Sequence, residues 1–363
     1  MKSNRLYLDM HILQTVPPSC INRDDTGSPK TAIYGGVTRA RVSSQSWKRS
    51  MRLMFKNLFD SDDLGFRTKK IVELVAKQIA DLGYEGDSEK LATQLLINAG
   101  LKIKSVDKGT DSLFFISMAQ AKSIAKLAME NPEVAGEKPS KKDKEKLKGA
   151  LKELPGVDIA LFGRMVADVP LLNTDACAQV AHSISTHKVT NEFDYFTAVD
   201  DISDKDNAGA GHIGTIEFNS STLYRYSTVA VHELFKYLGE GSINAIRQFI
   251  YAFVYSMPTG KQNTFANRTL PDSLMISLRK DQPINYIGAF EKPVTAGDNG
   301  LMIASSQVLA KHILDSYKTF ASNPQKTFVT GESLAELAKP QSFEDLLMSV
   351  EYELSESLRS LEV

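Results

Sequence analysis

From Arg5 to Val16 apolar and polar residues alternate. Leu6, Leu8, Met10 and Ile12 fall on one side, Arg5, Tyr7, Asp9 and His11 on the other, the period of a strand with one buried face. The run Pro17-Pro18-Ser19-Cys20-Ile21-Asn22-Arg23-Asp24-Asp25-Thr26-Gly27 stops regular structure and predicts a loop. A short extended piece follows Gly35-Gly36 over Val37 to Val42, and Ser43-Ser44-Gln45-Ser46 offers cap hydroxyls to a helix beginning near Trp47. That helix has two faces: Trp47, Met51, Met54, Phe55 and Leu58 recur toward a core, while Lys48, Arg49, Arg52 and Lys56 gather opposite.

Residues 60 to about 175 read as a mostly helical insertion. One stripe holds Ile71, Leu74, Val75, Ile79 and Leu82, the next Leu91, Leu95, Leu96 and Ala99, and Gly83 and Gly100 mark their ends. The lysine-rich stretch from Glu137 to Glu153 reads as a solvated surface helix or loop, and Val157 to Phe162 as extended, ending at Gly163-Arg164-Met165. Strands return over Val180 to Val189 and Thr215 to Val229. Between them, residues 200 to 214 carry Asp200, Asp201, Asp204 and Asp206 before a Gly-rich run, and predict a projecting hairpin. A helix over Ser242 to about Met257, a strand at Leu274, Ile276 and Leu278, and a terminal helix with Phe343, Leu347 and Val350 on one side complete the chain. The order strand, helix, strand, strand, helix, strand is α+β, the split βαβ or ferredoxin-like arrangement, interrupted by the helical insertion and the hairpin.

Charge alters this picture. Over 363 residues the net charge is −1, yet residues 1 to 56 hold ten Lys/Arg against three Asp/Glu and the remainder 33 against 41. A basic head on an acidic body points to a polyanion held locally. The longest aromatic-aliphatic stretch, Ile250 to Met257, is far short of the roughly 20 residues of a membrane span. Cys20 and Cys177 stand alone, and with the early Asp9 they fit a reducing cytoplasm.

The candidate chemistry concentrates in that head. Asn22, Arg23, Lys30, Arg39, Arg41, Ser43, Gln45, Lys48, Arg49 and Arg52 are the fork, point-charge and hydroxyl groups that hold phosphates; three acids are too few to pair ten cations. Asp24-Asp25 fits either a Mg²⁺ pair in a nuclease or a turn cap. Tyr195 and Phe196 suit base stacking or local burial, and Ile213 at a Gly-flanked tip needs a partner from elsewhere. His182 and His187 read as structural. Thr259-Gly260-Lys261-Gln262 lacks the first Gly and the Ser/Thr of a phosphate loop, which leaves Lys261 as a single charge. No Ser, Cys or His has partners at nucleophilic spacing.

Several blocks, among them Pro18-Ser19-Cys20-Ile21-Asn22-Arg23-Asp24-Asp25, Arg41-Val42-Ser43-Ser44-Gln45-Ser46-Trp47-Lys48-Arg49, Val157-Asp158-Ile159-Ala160-Leu161-Phe162-Gly163-Arg164-Met165 and Phe196-Thr197-Ala198-Val199-Asp200-Asp201, closely resemble the CasC backbone-subunit family of type I-E CRISPR Cascade. The resemblance implies a right-hand shape with a modified RNA-recognition-motif palm (1–59, 181–192 and 216–363 with C-terminal helices), helical fingers (60–180) and a thumb hairpin (193–215). It implies a non-catalytic subunit without cofactor or metal, polymerising with further copies of itself along CRISPR guide RNA. Other Cascade subunits join it, and target DNA is met through the guide. The implied guide contacts are Arg23, Lys30, Arg41, Ser43, Gln45, Lys48, Arg49, Arg52 and Lys261, with Met165, Tyr195, Phe196, Val199 and Ile213 shaping kinks. Val37-Thr38 stands where relatives often carry basic residues. Type III relatives cleave RNA with an early-loop aspartate, so the alternative is a metal-dependent endoribonuclease using Asp24 or Asp25.

Overall fold

The computed structural model describes residues 5–105, 107–199 and 209–359, and at 199 and 209–213 the backbone alone. The chain divides into two compact units, one of Met1–Met51, Val180–Thr228 and Phe249–Val363, the other of Arg52–Gln179 and Val229–Gln248. Residues 229–248, expected with the palm, fall in the second.

The first unit is built on strands β1 (Tyr7–Ser19), β2 (Thr31–Tyr34), β3 (Val37–Val42), β4 (Ser183–Ser185), β5 (Glu192–Val199), β6 (Gly209–Ala230), β7 (Ser273–Arg279) and β8 (Lys326–Thr330). Its main sheet runs β8-β7-β1-β6-β4-β3-β2. The pairs β1/β7, β7/β8, β4/β6, β3/β4 and β2/β3 are antiparallel. Helix α1 (Ser44–Phe55) lies in sequence between β3 and β4, and α2 (Gly241–Tyr255) between β6 and β7.

The one-face expectation for β1 fails at its centre, where Asp9 and His11 are as buried as Leu8 and Met10. A central strand is covered on both sides, so its polar side chains need partners inside the protein. Asp9 accepts from the Tyr226 hydroxyl at 3.1 Å and the Ile284 amide at 2.9 Å, and His11 Nδ1 lies 2.8 Å from the Tyr224 hydroxyl. Burial raises the Asp9 carboxyl to about 6 and lowers His11 to about 3.

A buried cation joins four elements. Arg225 of β6 is 1% exposed and lies 3.8 Å from the Trp47 ring centre and 4.6 Å from that of Phe253. It donates to Gln14 Oε1 at 2.6 Å and to the Phe253 carbonyl. Trp47 donates to Ser183 Oγ at 2.9 Å. Burial lowers the guanidinium to about 9.

In the second unit, helices Ile71–Asp81, Ser88–Asn98, Met118–Glu130 and Lys141–Lys152 share a core that includes Val75, Ile79, Leu95, Ile124, Leu147 and Leu151. Ser117 and Ser140 form capping boxes with Gln120 and Asp143. Residues Val157–Phe162, expected to be extended, form a helix with Asp158, Ile159, Ala160 and Leu161 all buried. A short apolar run buried all round carries no period that separates strand from helix. Likewise the strand expected over 180–189 narrows to Ser183–Ser185 and a short piece at Ala178–Val180.

Two outcomes follow. Arg225→Ala leaves a cavity and strips Gln14 of its donor, with an expected cost of about 3–5 kcal/mol in chemical denaturation. Between pH 6 and 4 the folded Asp9 holds a proton that the unfolded chain lacks, so its contribution rises as pH falls. His11 in that range is protonated only when unfolded, so its contribution falls. Relative to wild type, His11→Gln should therefore gain, and Asp9→Asn lose, up to about 1.4 kcal/mol per pH unit on acidification, read from urea titrations at each pH.

Candidate nucleic-acid interface

The loop after β1 is shaped by Asp24. Its Oδ1 accepts from the Thr26 amide (3.0 Å), the Thr26 hydroxyl (2.7 Å) and the Ser28 amide (3.0 Å). These bonds, the Thr26 hydroxyl foremost, hold the carboxyl below its usual range. Of the two uses expected for Asp24, the turn cap is the one its geometry fulfils. The loop is tied to α1 and β3: Asn22 Oδ1 accepts from the Ser43 amide (2.9 Å), Asn22 O from the Lys30 amide (2.8 Å) and Lys30 O from the Arg41 amide (2.9 Å). Ser43 Oγ in turn accepts from the Ser46 amide at 3.3 Å and starts the helix.

This lacing gathers cations. Arg41 Nη1 lies 3.4 Å from His182 Nδ1, and its Nε donates to Thr31 O. Burial, and after it Arg41, Lys30 and Lys48, hold the His182 imidazole below its usual range. Three expected contacts therefore add their positive fields at one ring, Arg41 by direct approach. Lys30 and Arg41 line a cleft with Ser19, Asn22, Asn219 and Ser221, and Gln45 and Arg49 are exposed on α1. Around Cys20, burial raises the thiol, Arg23 and Lys261 pull it down, and Glu217 and Asp24 push it up. A Cβ on Gly260 would sit 2.4 Å from the Ile21 carbonyl oxygen, and Lys261 itself is left-handed at φ 49°. Such a conformation in a non-glycine residue is held by its surroundings.

Two expected phosphate contacts lie elsewhere. Arg39 is fully buried and donates to the carbonyls of Tyr34, Ser185, Phe290 and Glu291. Arg52 pairs with the buried Asp158 at 2.9 Å in the second unit. His187 is structural, accepting from the Thr222 amide at 3.1 Å.

The β5/β6 hairpin pairs Glu192 with Phe218 through Phe196 with Gly214 and Thr197 with Ile213, with an irregularity before Val199 and Gly209. Tyr195 is 64% exposed and shares its side of the strand with Phe193, 65% exposed and missed in the sequence although it alternates with Tyr195. Phe196 lies across Gly214, where a Cβ would come within 2.2 Å of its ring. The side chains of Val199 and Ile213 fall outside the described residues. Met165, in the second unit, is 82% exposed between the buried Arg164 and Val166. Arg164 donates to Leu172 O, Phe115 O, Leu151 O and Gln120 Oε1 and bridges Thr174, which fixes the backbone that presents Met165.

The close approach of Gly260 is testable through Cys20, which is buried beneath it. Gly260→Ala should lower stability by about 1–3 kcal/mol and speed alkylation of Cys20, with buried Cys177 unchanged as the internal control. Equal rates at Cys20 in both proteins would show that the two loops do not press together.

No curated protein matches the chain. Among solved structures, a chain described as "CRISPR RNA-guided surveillance complex, pre-nicking" is 31% identical with a TM-score of 0.78, over 96% of this chain and 100% of that one. Another, described as "CRISPR RNA-guided surveillance complex", is 28% identical with a TM-score of 0.63, over 96% and 99%. A family model described as "CT1975-like protein" matches residues 8–351. The chain therefore belongs to the CT1975-like protein family.

Proposed function

We propose that this protein is a non-catalytic backbone subunit of the CasC kind in a type I-E CRISPR Cascade complex. It grips guide RNA by its phosphates and polymerises along it with further copies of itself and with other Cascade subunits. One observation carries the reading: Arg41 Nη1 lies 3.4 Å from His182 Nδ1 and Lys30 and Lys48 add their positive fields at the same imidazole, a concentration of charge suited to a ribose-phosphate strand. The likeness to chains of CRISPR RNA-guided surveillance complexes over nearly the whole length supports it.

The strand order β7-β1-β6-β4, with α1 and α2 in the two crossovers, supports a modified ferredoxin-like, RNA-recognition-motif palm. The helical unit then serves as fingers and the β5/β6 hairpin as thumb, with Met165, Tyr195 and Phe196 as the exposed apolar groups that shape the strand, together with Val199 and Ile213. A protein that holds only backbone and shape leaves the bases outward for target DNA, and sequence is read by pairing. No cofactor or metal takes part in this reading, and the complex works in the cytoplasm. No helix among the described residues is long and apolar enough to cross a membrane.

The expressed assembly should carry RNA of uniform length. Its salt slope should be about −4 per subunit for about six phosphate contacts, and Lys48→Gln with Arg49→Gln should flatten it by about 1.4. Protein free of RNA, or an unchanged slope, would remove this surface from the account. Asp24 Oδ1 is engaged in its turn, and on this reading labelled complementary RNA with Mg²⁺ stays intact; evenly spaced products lost in Asp24→Ala would instead favour the endoribonuclease.

A further inference from the structure

Arg52 does not stand alone in the second unit. Its guanidinium lies 4.4 Å from the Phe115 ring centre, and that of Arg67, on the strand Gly65–Thr68, lies 4.8 Å from the same centre. Two like charges thus share one ring. The acid they have to share is Asp158, whose Oδ2 is taken by Arg52 Nε and whose Oδ1 by the Gly65 amide at 2.7 Å. Among the described residues no carboxylate or carbonyl lies within hydrogen-bond reach of the Arg67 guanidinium, and the Arg52 side chain keeps 21% of its surface in solvent. Burial, and after it Arg52, hold Arg67 below the usual arginine range, with Asp158 opposing them.

The balance of charges decides what this arrangement wants. One carboxylate offsets one guanidinium, so the pair, Arg52 half-buried and Arg67 exposed, retains a net positive charge. A cation resting on an aromatic face contributes about 0.5–1 kcal/mol at an exposed site, which does not require a second arginine against the same ring. Each planar fork matches phosphate oxygens, and successive phosphodiesters of one strand offer oxygens to both. Arg52 follows Lys48 by four residues on one helix.

We propose that Arg67 and Arg52, steadied by Phe115 and Asp158, form a phosphodiester-binding site for a nucleic-acid strand. This rests on the polyanion-binding reading given above and adds Arg67, which carries no signal in the sequence beyond its charge, to the residues that perform it.

The test uses the full-length protein with single-stranded RNA and, separately, inorganic phosphate. Arg67→Gln should weaken RNA binding about tenfold at moderate salt and reduce the salt slope by about 0.7; Arg67→Lys should restore the slope but not the full affinity, because an ammonium lacks the fork. Phosphate should raise the melting temperature of wild type over chloride at equal ionic strength, and not that of Arg67→Gln. RNA binding with an unchanged slope in Arg67→Gln overturns the inference and leaves the general reading standing. Phosphate protection that depends on Arg67, in a protein that binds no RNA, removes the general reading and reduces the pair to a small-anion site.

Discussion

A guanidinium with no carboxylate beside it among the described residues organises the first unit. Arg225 is enclosed by the faces of Trp47 and Phe253 and answered by one amide oxygen and one carbonyl. Burying a charge this way is costly unless ring quadrupoles and charge-assisted hydrogen bonds replace the lost water. The four elements that supply them, β1, β6, α1 and α2, must therefore hold their places together. Because Trp47 is also fixed through Ser183, the start of α1 is held, and with it Gln45, Lys48 and Arg49. The buried cation thus sets where the exposed cations stand.

Arginine has two fates in this chain, and both serve the surface. Arg39 and Arg164 are buried collectors of carbonyls; each ends the hydrogen-bonding needs of an irregular segment that no ladder satisfies. Arg39 holds the β2/β3 turn, and Arg164 holds the backbone on which Met165 stands. Arg23, Arg41 and Arg49 stay nearer solvent.

Much of this was legible in the sequence. The period of α1 and the stripes of the helices from Ile71 and Ser88 follow from repeats that burial enforces; the hairpin was signalled by the polar, Gly-rich run 200–214, of which 200–208 lie outside the described residues. What was not legible depends on partners distant in the chain. Asp9 and His11 look like a solvent face until Tyr224, Tyr226 and Ile284 cover them. Arg39 looks like a phosphate ligand until the carbonyls of Ser185 and Phe290 claim it. Val157–Phe162 is too short for its period to distinguish helix from strand, and only its surroundings decide.

The most direct test is ultraviolet cross-linking of bound single-stranded RNA to the full-length protein, with the attached peptides mapped by mass spectrometry. The account predicts adducts within 20–30, 41–49 and 193–196. Adducts confined to the C-terminal helix Phe343–Arg359, with those segments clean, would contradict it.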